Sequence, residues 1–231
     1  MTLVECIRHI MSHNVPDEDS YLKGYFCKSR CKEIELLTKE QSSCEHWHKH
    51  RQCRITASKF GEVFKRRTLT SSYAQKFIFP RSELRTQAIE WGRKNEEVAL
   101  RMYVQKAKSI HTNFQHRRSG LCLNSKFPHL GASPDAHVLC SCCGKGIVEI
   151  KCPFKHKNVS AFNINDSSFI LDTDGKIRTN HSYYFQIQGQ LAVTEEDYCD
   201  MIIWTSVDFA VYRVKQNKEV WKKSGSLYTK G

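Results

Sequence analysis

The sequence predicts an α/β fold, a sandwich with a central mixed β-sheet flanked by helices, and three observations carry that expectation. A long helical pattern runs from Thr86 to Lys106. Two strand-like runs, 130–135 and 146–153, bracket a short turn at 141–145. A second helical pattern, Ser182–Val193, is followed by two closing strand-like runs, 201–205 and 209–214. Helix, strands, helix, strands, without internal repeat or low-complexity segment, is the order of a layered α/β domain. With 231 residues, 40% of them hydrophobic and 11% aromatic, the chain can bury one large core.

Residues 1–40 read as a helical lead-in with an acidic break at Pro16-Asp17-Glu18-Asp19-Ser20, and residues 41–231 as the main domain. His46, His48 and His50 alternate in a basic, tryptophan-containing segment. It reads as a solvated loop, the alternative being three histidines on one strand face around a metal. Thr56 or Ser58 can cap a helix running through Phe60, Val63 and Phe64 to Arg66 and Arg67. Arg51 and Arg54 stand just before it. Backbone N–H groups, hydroxyls and arginines gathered at a helix start make a phosphate pocket. An ordinary capped surface helix would carry the same residues.

In the long helix, Ala88, Gly92, Glu96, Ala99 and Tyr103 follow at i+3 or i+4 and share a face. Glu96 thus falls on a packed stripe, and Gly92 one turn earlier removes side-chain bulk beside it. The alternative is a boundary glutamate reaching solvent. The hairpin brings further acids. In the strand Gly146–Pro153, Ile147, Glu149 and Lys151 point one way while Val148, Ile150 and Cys152 point the other. Asp135 closes the preceding Leu130-Gly-Ala-Ser-Pro-Asp run and reaches the same region. Two carboxylates and an ammonium among apolar neighbours are costly to desolvate unless something pairs them. A divalent ion would do so, giving an Asp…Glu-x-Lys metal site suited to phosphodiester hydrolysis; a structural ion pair at a sheet edge is the plainer alternative. Beyond Pro153, Phe169–Leu171 and Ile177–Arg178 form a hairpin about Asp174-Gly175. The last helix carries Gln186, Gln188 and Gln190, of which Gln186 and Gln190 lie one turn apart on one face.

The 36 basic against 24 acidic side chains give a net charge of +12, which points to a polyanionic partner and to nucleic acid before a membrane surface. No run is long enough to span a bilayer, and Met1–Asn14 lacks a signal-peptide layout. Eleven cysteines, an odd number with no signal before them, fit a reducing intracellular compartment, nuclear or cytoplasmic. Cys27 with Cys31, and Cys140 with Cys142 and Cys143, are zinc candidates, though neither group is a four-ligand set.

Taken together, Trp47-His48-Lys49 with Arg51, Ile55-Thr56-Ala57-Ser58, Trp91-Gly92-Arg93-Lys94-Asn95-Glu96, Ser133-Pro134-Asp135, Glu149-Ile150-Lys151-Cys152-Pro153-Phe154 and Gln186-Ile187-Gln188 resemble the YqaJ-like viral recombinase family, to which the phage lambda exonuclease is related. The resemblance runs from about Trp47 to Val214. It implies the restriction-endonuclease-like fold of the PD-(D/E)xK nucleases and a metal-dependent deoxyribonuclease using Mg²⁺ or Mn²⁺. By position it makes Glu96, Asp135 and Glu149, with the Ile150 carbonyl, the metal-side groups, Lys151 the catalytic lysine and Gln186 an active-site helper. Arg51, Ser58 and Ser133 would hold a terminal 5′-phosphate; apart from the resemblance, Arg54 stands in the phosphate pocket described above, and the basic Lys65, Arg66 and Arg67 would track the DNA backbone. The implied substrate is linear duplex degraded 5′ to 3′. An endonuclease or flap nuclease on the same fold, a silent DNA-end-binding module and a cysteine-based zinc interaction domain remain alternatives, as do an oligomer and a single-strand annealing partner. The chain departs from the family pattern where Ala136-His137 stands in place of the glycine that often follows the aspartate, and the resemblance offers no counterpart for the first forty residues or the cysteine-rich turn.

Overall fold

The computed structural model describes residues 1–66, 68, 70–78 and 86–220. Three short helices open the chain: α1 (Leu3–His13), α2 (Glu18–Tyr25) and α3 (Lys28–Leu37). Thr2 and Glu5 cap α1 reciprocally, and Asp17 of the acidic break caps α2 by accepting from the Ser20 N–H. Their apolar faces are not left to solvent. Leu3, Cys6, Phe26, Cys31 and Ile34 form a buried cluster with Trp47, Leu121 and Leu123.

Helix α4 (Glu45–Arg51) carries the three alternating histidines, so this stretch is neither loop nor strand. Helical geometry turns residues two apart to different sides. The pattern that suggested a strand face is therefore lost, and only Trp47 is buried there. Strand β1 (Ile55–Thr56) leads into α5 (Ala57–Phe64), and α6 (Ser71–Ile78) precedes α7 (Gln87–Ile110). Thr86 caps α7 through the Ile89 N–H, and the helix runs four residues beyond the expected Lys106. Its buried residues, Ala99, Leu100, Tyr103, Val104 and Ala107, begin one turn past Glu96. Ala88 is exposed, and a Cβ at Gly92 would meet nothing within 4 Å, so the expected packed stripe extends only over the second half of the helix.

The remaining elements are β2 (Gln115–Arg118), β3 (Cys122–Asn124), β4 (Phe127–Ala132), β5 (Ala136–Cys140), β6 (Gly144–Lys151), α8 (Ser182–Thr194), β7 (Tyr198–Trp204) and β8 (Phe209–Lys215). They form a five-stranded sheet of order β2-β5-β6-β7-β8 and a three-stranded sheet of order β1-β4-β3. Both sheets are mixed: β6 runs parallel to β7, and β1 parallel to β4, among otherwise antiparallel pairs. The hairpin expected after Pro153 is reduced to a single Leu171–Ile177 bridge, with Gly175 at φ 72°.

Strand β6 is the centre of the molecule. Ile147 packs on one face with Ile187 and Leu191 of α8 and with Cys199, Met201 and Ile203 of β7. Val148 and Ile150 pack on the other with Ala99, Leu100 and Tyr103 of α7. All seven residues of β7 are buried, as expected of a strand covered on both faces. It begins three residues before the expected Met201. Asp200 had masked its apolar character, and that carboxylate is matched by Arg213 (2.8 Å) and the Tyr103 hydroxyl (2.7 Å).

Candidate active site

Four sequence-predicted residues meet where β6 ends. Asp135 sits just before β5, its N–H donating to the Val148 carbonyl (2.9 Å) and its Oδ2 accepting from the Ile150 N–H (2.5 Å). These bonds clamp the aspartate against β6. Glu149 points to α8: Oε1 accepts from Lys151 Nζ and Gln186 Nε2, both at 2.6 Å, and Oε2 from Gln190 Nε2 at 2.6 Å. Lys151 Nζ also donates to Gln186 Oε1 (3.1 Å) and lies 4.3 Å from the centre of the Tyr183 ring. Gln186 therefore bridges the acid and the base.

The electrostatics of the group are unbalanced. Asp135 is buried, and burial, then Glu149 and Glu96, push its carboxyl well above the ordinary range. Glu96 on α7 is half-buried and also raised, chiefly by burial and against the pull of Arg118, whose guanidinium reaches it at 3.2 Å. Arg118 is shared with Glu97. Burial disfavours the charge on Lys151, but Glu149, Tyr183 and Asp135 outweigh it, and the ammonium is held above its ordinary range. Three carboxylates thus face one lysine and one divided arginine. Neighbouring like charges disfavour one another's ionisation, and a further cation would relieve them. The donor set, hard carboxylate oxygens with no histidine or thiol, fits Mg²⁺ or Mn²⁺ and not a soft metal.

Of the glutamines on α8, Gln190 belongs with this group as well as Gln186, the one to which the resemblance gives a role. The one-turn spacing of the two was the available signal. Gln188 faces elsewhere, donating to the Lys215 carbonyl (3.0 Å) and accepting from the Asn217 N–H (2.6 Å). Tyr183 and Arg118 also touch the group, and nothing in their sequence context marked them.

The expected phosphate-binding residues divide. The Arg51 guanidinium lies 3.8 Å from the centre of the Trp47 ring, and Trp47 Nε1 donates to Ser133 Oγ (2.9 Å). This line ends two residues from Asp135, within about 7 Å of backbone. Ser58 is exposed in the first turn of α5, 3.2 Å from the Thr56 hydroxyl. The β1–β4 pairing, Thr56 opposite Gly131, brings that turn beside the segment carrying Ser133. Gln41 steadies the same segment, donating to the Pro134 carbonyl (2.9 Å). Arg54 does not belong here. It is 1% exposed, bonds the carbonyls of Pro128 and His50, and lies over Phe26. A guanidinium spent on backbone acceptors inside the N-terminal cluster cannot meet DNA. Lys65 donates to the Asn180 carbonyl, Arg66 stacks on Tyr73, and Arg67 lies outside the described residues.

Comparison with known proteins places this geometry. The sequence model of the YqaJ-like viral recombinase domain matches residues 46–197. A protein of Acanthamoeba polyphaga mimivirus described as uncharacterized protein R354 is 26% identical over an alignment of 220 residues that covers 87% of this chain and 36% of that protein; the chain thus spans about a third of its relative's length. Among solved structures, the alkaline exonuclease LHK-Exo from Laribacter hongkongensis matches with a TM-score of 0.57 at 21% identity, over 80% of this chain and 90% of that one. It has also been solved with dAMP. The shutoff and exonuclease protein of Kaposi's sarcoma-associated herpesvirus matches with a TM-score of 0.55 at 12% identity, over 87% and 72% of the two chains. SOX structures with DNA and with RNA match similarly, with a TM-score of 0.56 each. The five-stranded sheet between α7 and α8 is thus the nuclease fold of the alkaline exonucleases, and the chain belongs to the YqaJ-like viral recombinase family.

Proposed function

We propose that this protein is a metal-dependent exodeoxyribonuclease that degrades duplex DNA from its ends. The observation that carries the proposal is the surplus of acid at the buried Asp135 and Glu149 and the half-buried Glu96, beside a charged Lys151. Such an arrangement is unfavourable in isolation and becomes useful when a divalent ion and a phosphate share it. Asp135, Glu149, Glu96 and the Ile150 carbonyl would hold the ion, which supplies charge neutralisation and a more acidic water. Lys151, kept protonated, would stabilise negative charge developing on the scissile phosphate. Gln186 and Gln190 fix the Glu149 carboxylate so that its orientation does not depend on substrate. Family membership, and the exonucleases and nucleic-acid complexes sharing the fold, support the substrate class.

The Arg51–Trp47–Ser133 line and the first turn of α5 favour action at a 5′-phosphorylated end. A terminal phosphate carries more charge than an internal diester, so an anion pocket prefers it. Digestion of end-labelled linear duplex tests the reading. Mg²⁺ should release label, chelator should stop it, and a closed circle should persist. 5′-phosphorylated ends should be cut faster than 5′-hydroxyl ends, and Arg51→Ala should erase that difference. Nicking of the circle at the rate of linear DNA would favour an endonuclease, and binding without cleavage in any divalent ion would favour an end-binding module.

A further inference from the structure

At the end of the β5–β6 hairpin away from Asp135 and Lys151, the turn Ser141-Cys142-Cys143 closes under the C-terminus of α7. There His111, Cys140, Cys142 and Cys143 place their four ligand atoms within 4.8 Å of one another. His111 Nδ1 is 3.1 Å from Cys142 Sγ and 3.6 Å from Cys143 Sγ; Cys142 Sγ is 3.4 Å from Cys140 Sγ and 3.7 Å from Cys143 Sγ. From these atoms we infer that the protein carries a structural zinc ion bound by His111, Cys140, Cys142 and Cys143.

Four of the six edges, 3.1–3.7 Å, lie near those of a tetrahedron around one ion, and the other two are within 4.8 Å. Zn–S bonds of about 2.3 Å and Zn–N bonds of about 2.0 Å give edges of about 3.8 Å between sulfurs and about 3.6 Å between sulfur and nitrogen. All the sulfurs are well beyond the ~2.05 Å of a disulfide. The ligand set is closed, three thiolates and one imidazole, which is the pattern of a structural site and not a catalytic one. The backbone holds both sides in place. The Ser141 N–H donates to the Thr112 carbonyl (2.9 Å), the Asn113 amide donates to Ser141 Oγ (3.0 Å), and Gly144 takes φ 76° to turn the chain into β6. Three cysteines within four residues are closer than finger spacing, and the fourth ligand comes from the end of a distant helix.

The function of such an ion would be mechanical. It would join the C-terminus of α7 to the hairpin turn, and these two elements carry Glu96 on one side and Asp135, Glu149 and Lys151 on the other. Metal analysis of the protein purified under reducing conditions should give about one zinc per chain that survives dialysis. Cobalt in its place should show the intense absorption of a tetrahedral thiolate site. The double variant Cys142→Ser/Cys143→Ser should lose zinc at least tenfold, whereas Cys27→Ser and Asp135→Asn should retain it. A thiol-blocking mercurial, added to the folded wild type, should release the zinc; this measurement does not depend on the double variant folding. Absence of zinc from the reduced wild type, full zinc in the double variant, or a cobalt spectrum without sulfur ligation would each overturn the inference.

Discussion

Asp135 and His137 are two residues apart, and each anchors a buried charged group of opposite character. Around Asp135 the carboxylates outnumber their counter-charges, and both Asp135 and Glu96 are held above the ordinary range. Around His137 the balance is reversed. Glu35 of α3 accepts from Arg117, lies 3.2 Å from His137 Nε2 and 2.9 Å from Lys32 Nζ. Burial alone would raise Glu35, but His137, Arg117 and Lys32 outweigh it and hold the carboxyl well below the usual range. His137 is disfavoured as a cation by burial, yet Cys122, Glu196 and Glu35 push it up to about 10. Burial is common to the two groups; the count of partners differs. A protein that completes its own ion pairs builds scaffold, and one that leaves them incomplete leaves room for a cation.

The sharpest test of this contrast is activity. Asp135→Asn and Glu149→Gln should each lower cleavage by about 10³-fold or more, and Lys151→Ala by about 10²–10³-fold. DNA binding, measured without metal, should fall little in any of them. His137→Gln should leave Mg²⁺-dependent chemistry detectable in whatever fraction remains folded. A His137 variant as inactive as Asp135→Asn, yet fully folded, would erase the distinction between site and scaffold.

Stability should separate the groups next. Breaking the scaffold pair with His137→Gln or Glu35→Gln should cost about 3–5 kcal/mol, because a buried partner is left unpaired. The pH dependence carries the sign. Since His137 is raised on folding, its contribution is complete below its ordinary value of 6.5 and is lost as pH rises through about 10. Glu35 is lowered on folding, so its contribution is present above 4.5 and lost as pH falls below that. Denaturant melts should therefore show the His137→Gln penalty largest near pH 6 and smallest above pH 10. A penalty that is constant across that range would assign it to packing alone.

The smallest effect is the most diagnostic. Asp135 is raised on folding, so its ionisation opposes the folded state increasingly as pH rises above 3.8. Asp135→Asn keeps an acceptor for the Ile150 N–H and removes the charge. In metal-free buffer at neutral pH it should be more stable than wild type by about 0.5–2 kcal/mol. Mg²⁺ should stabilise the wild type and not the variant, closing the gap. A metal-free variant less stable than wild type would mean that Asp135 is satisfied by its neighbours, and the acid surplus would not exist.

Much of the site was legible because its carriers are regular. Alternation along β6 placed Glu149 and Lys151 opposite Val148 and Ile150, and the one-turn spacing on α8 paired Gln186 with Gln190. What stayed hidden depends on contacts between distant segments. Nothing near His137 announces Glu35, and nothing near Cys140 announces His111. Arg54 looked like its neighbour Arg51, yet one is buried under α1–α3 and the other stacks on Trp47. His137 and the first forty residues are physically linked, because Glu35 of α3 pairs with His137. Gly120 records how tightly that partnership is packed, for a Cβ there would lie 2.0 Å from the Glu35 carbonyl oxygen.

The parallel pairing of β6 with β7 has a consequence for the order of assembly. The β5–β6 hairpin is a local structure that can close early, but β7 reaches β6 only after the whole crossover from Cys152 to Asp197, with α8 inside it, has been laid down. Non-local parallel pairing of this kind is slow to form, because loop closure is entropically opposed before contacts repay it. Glu149 meets Gln186 and Gln190 only at that step. A nascent or partly folded chain therefore displays its acids without their orientation, and the candidate site is completed only with the full sheet.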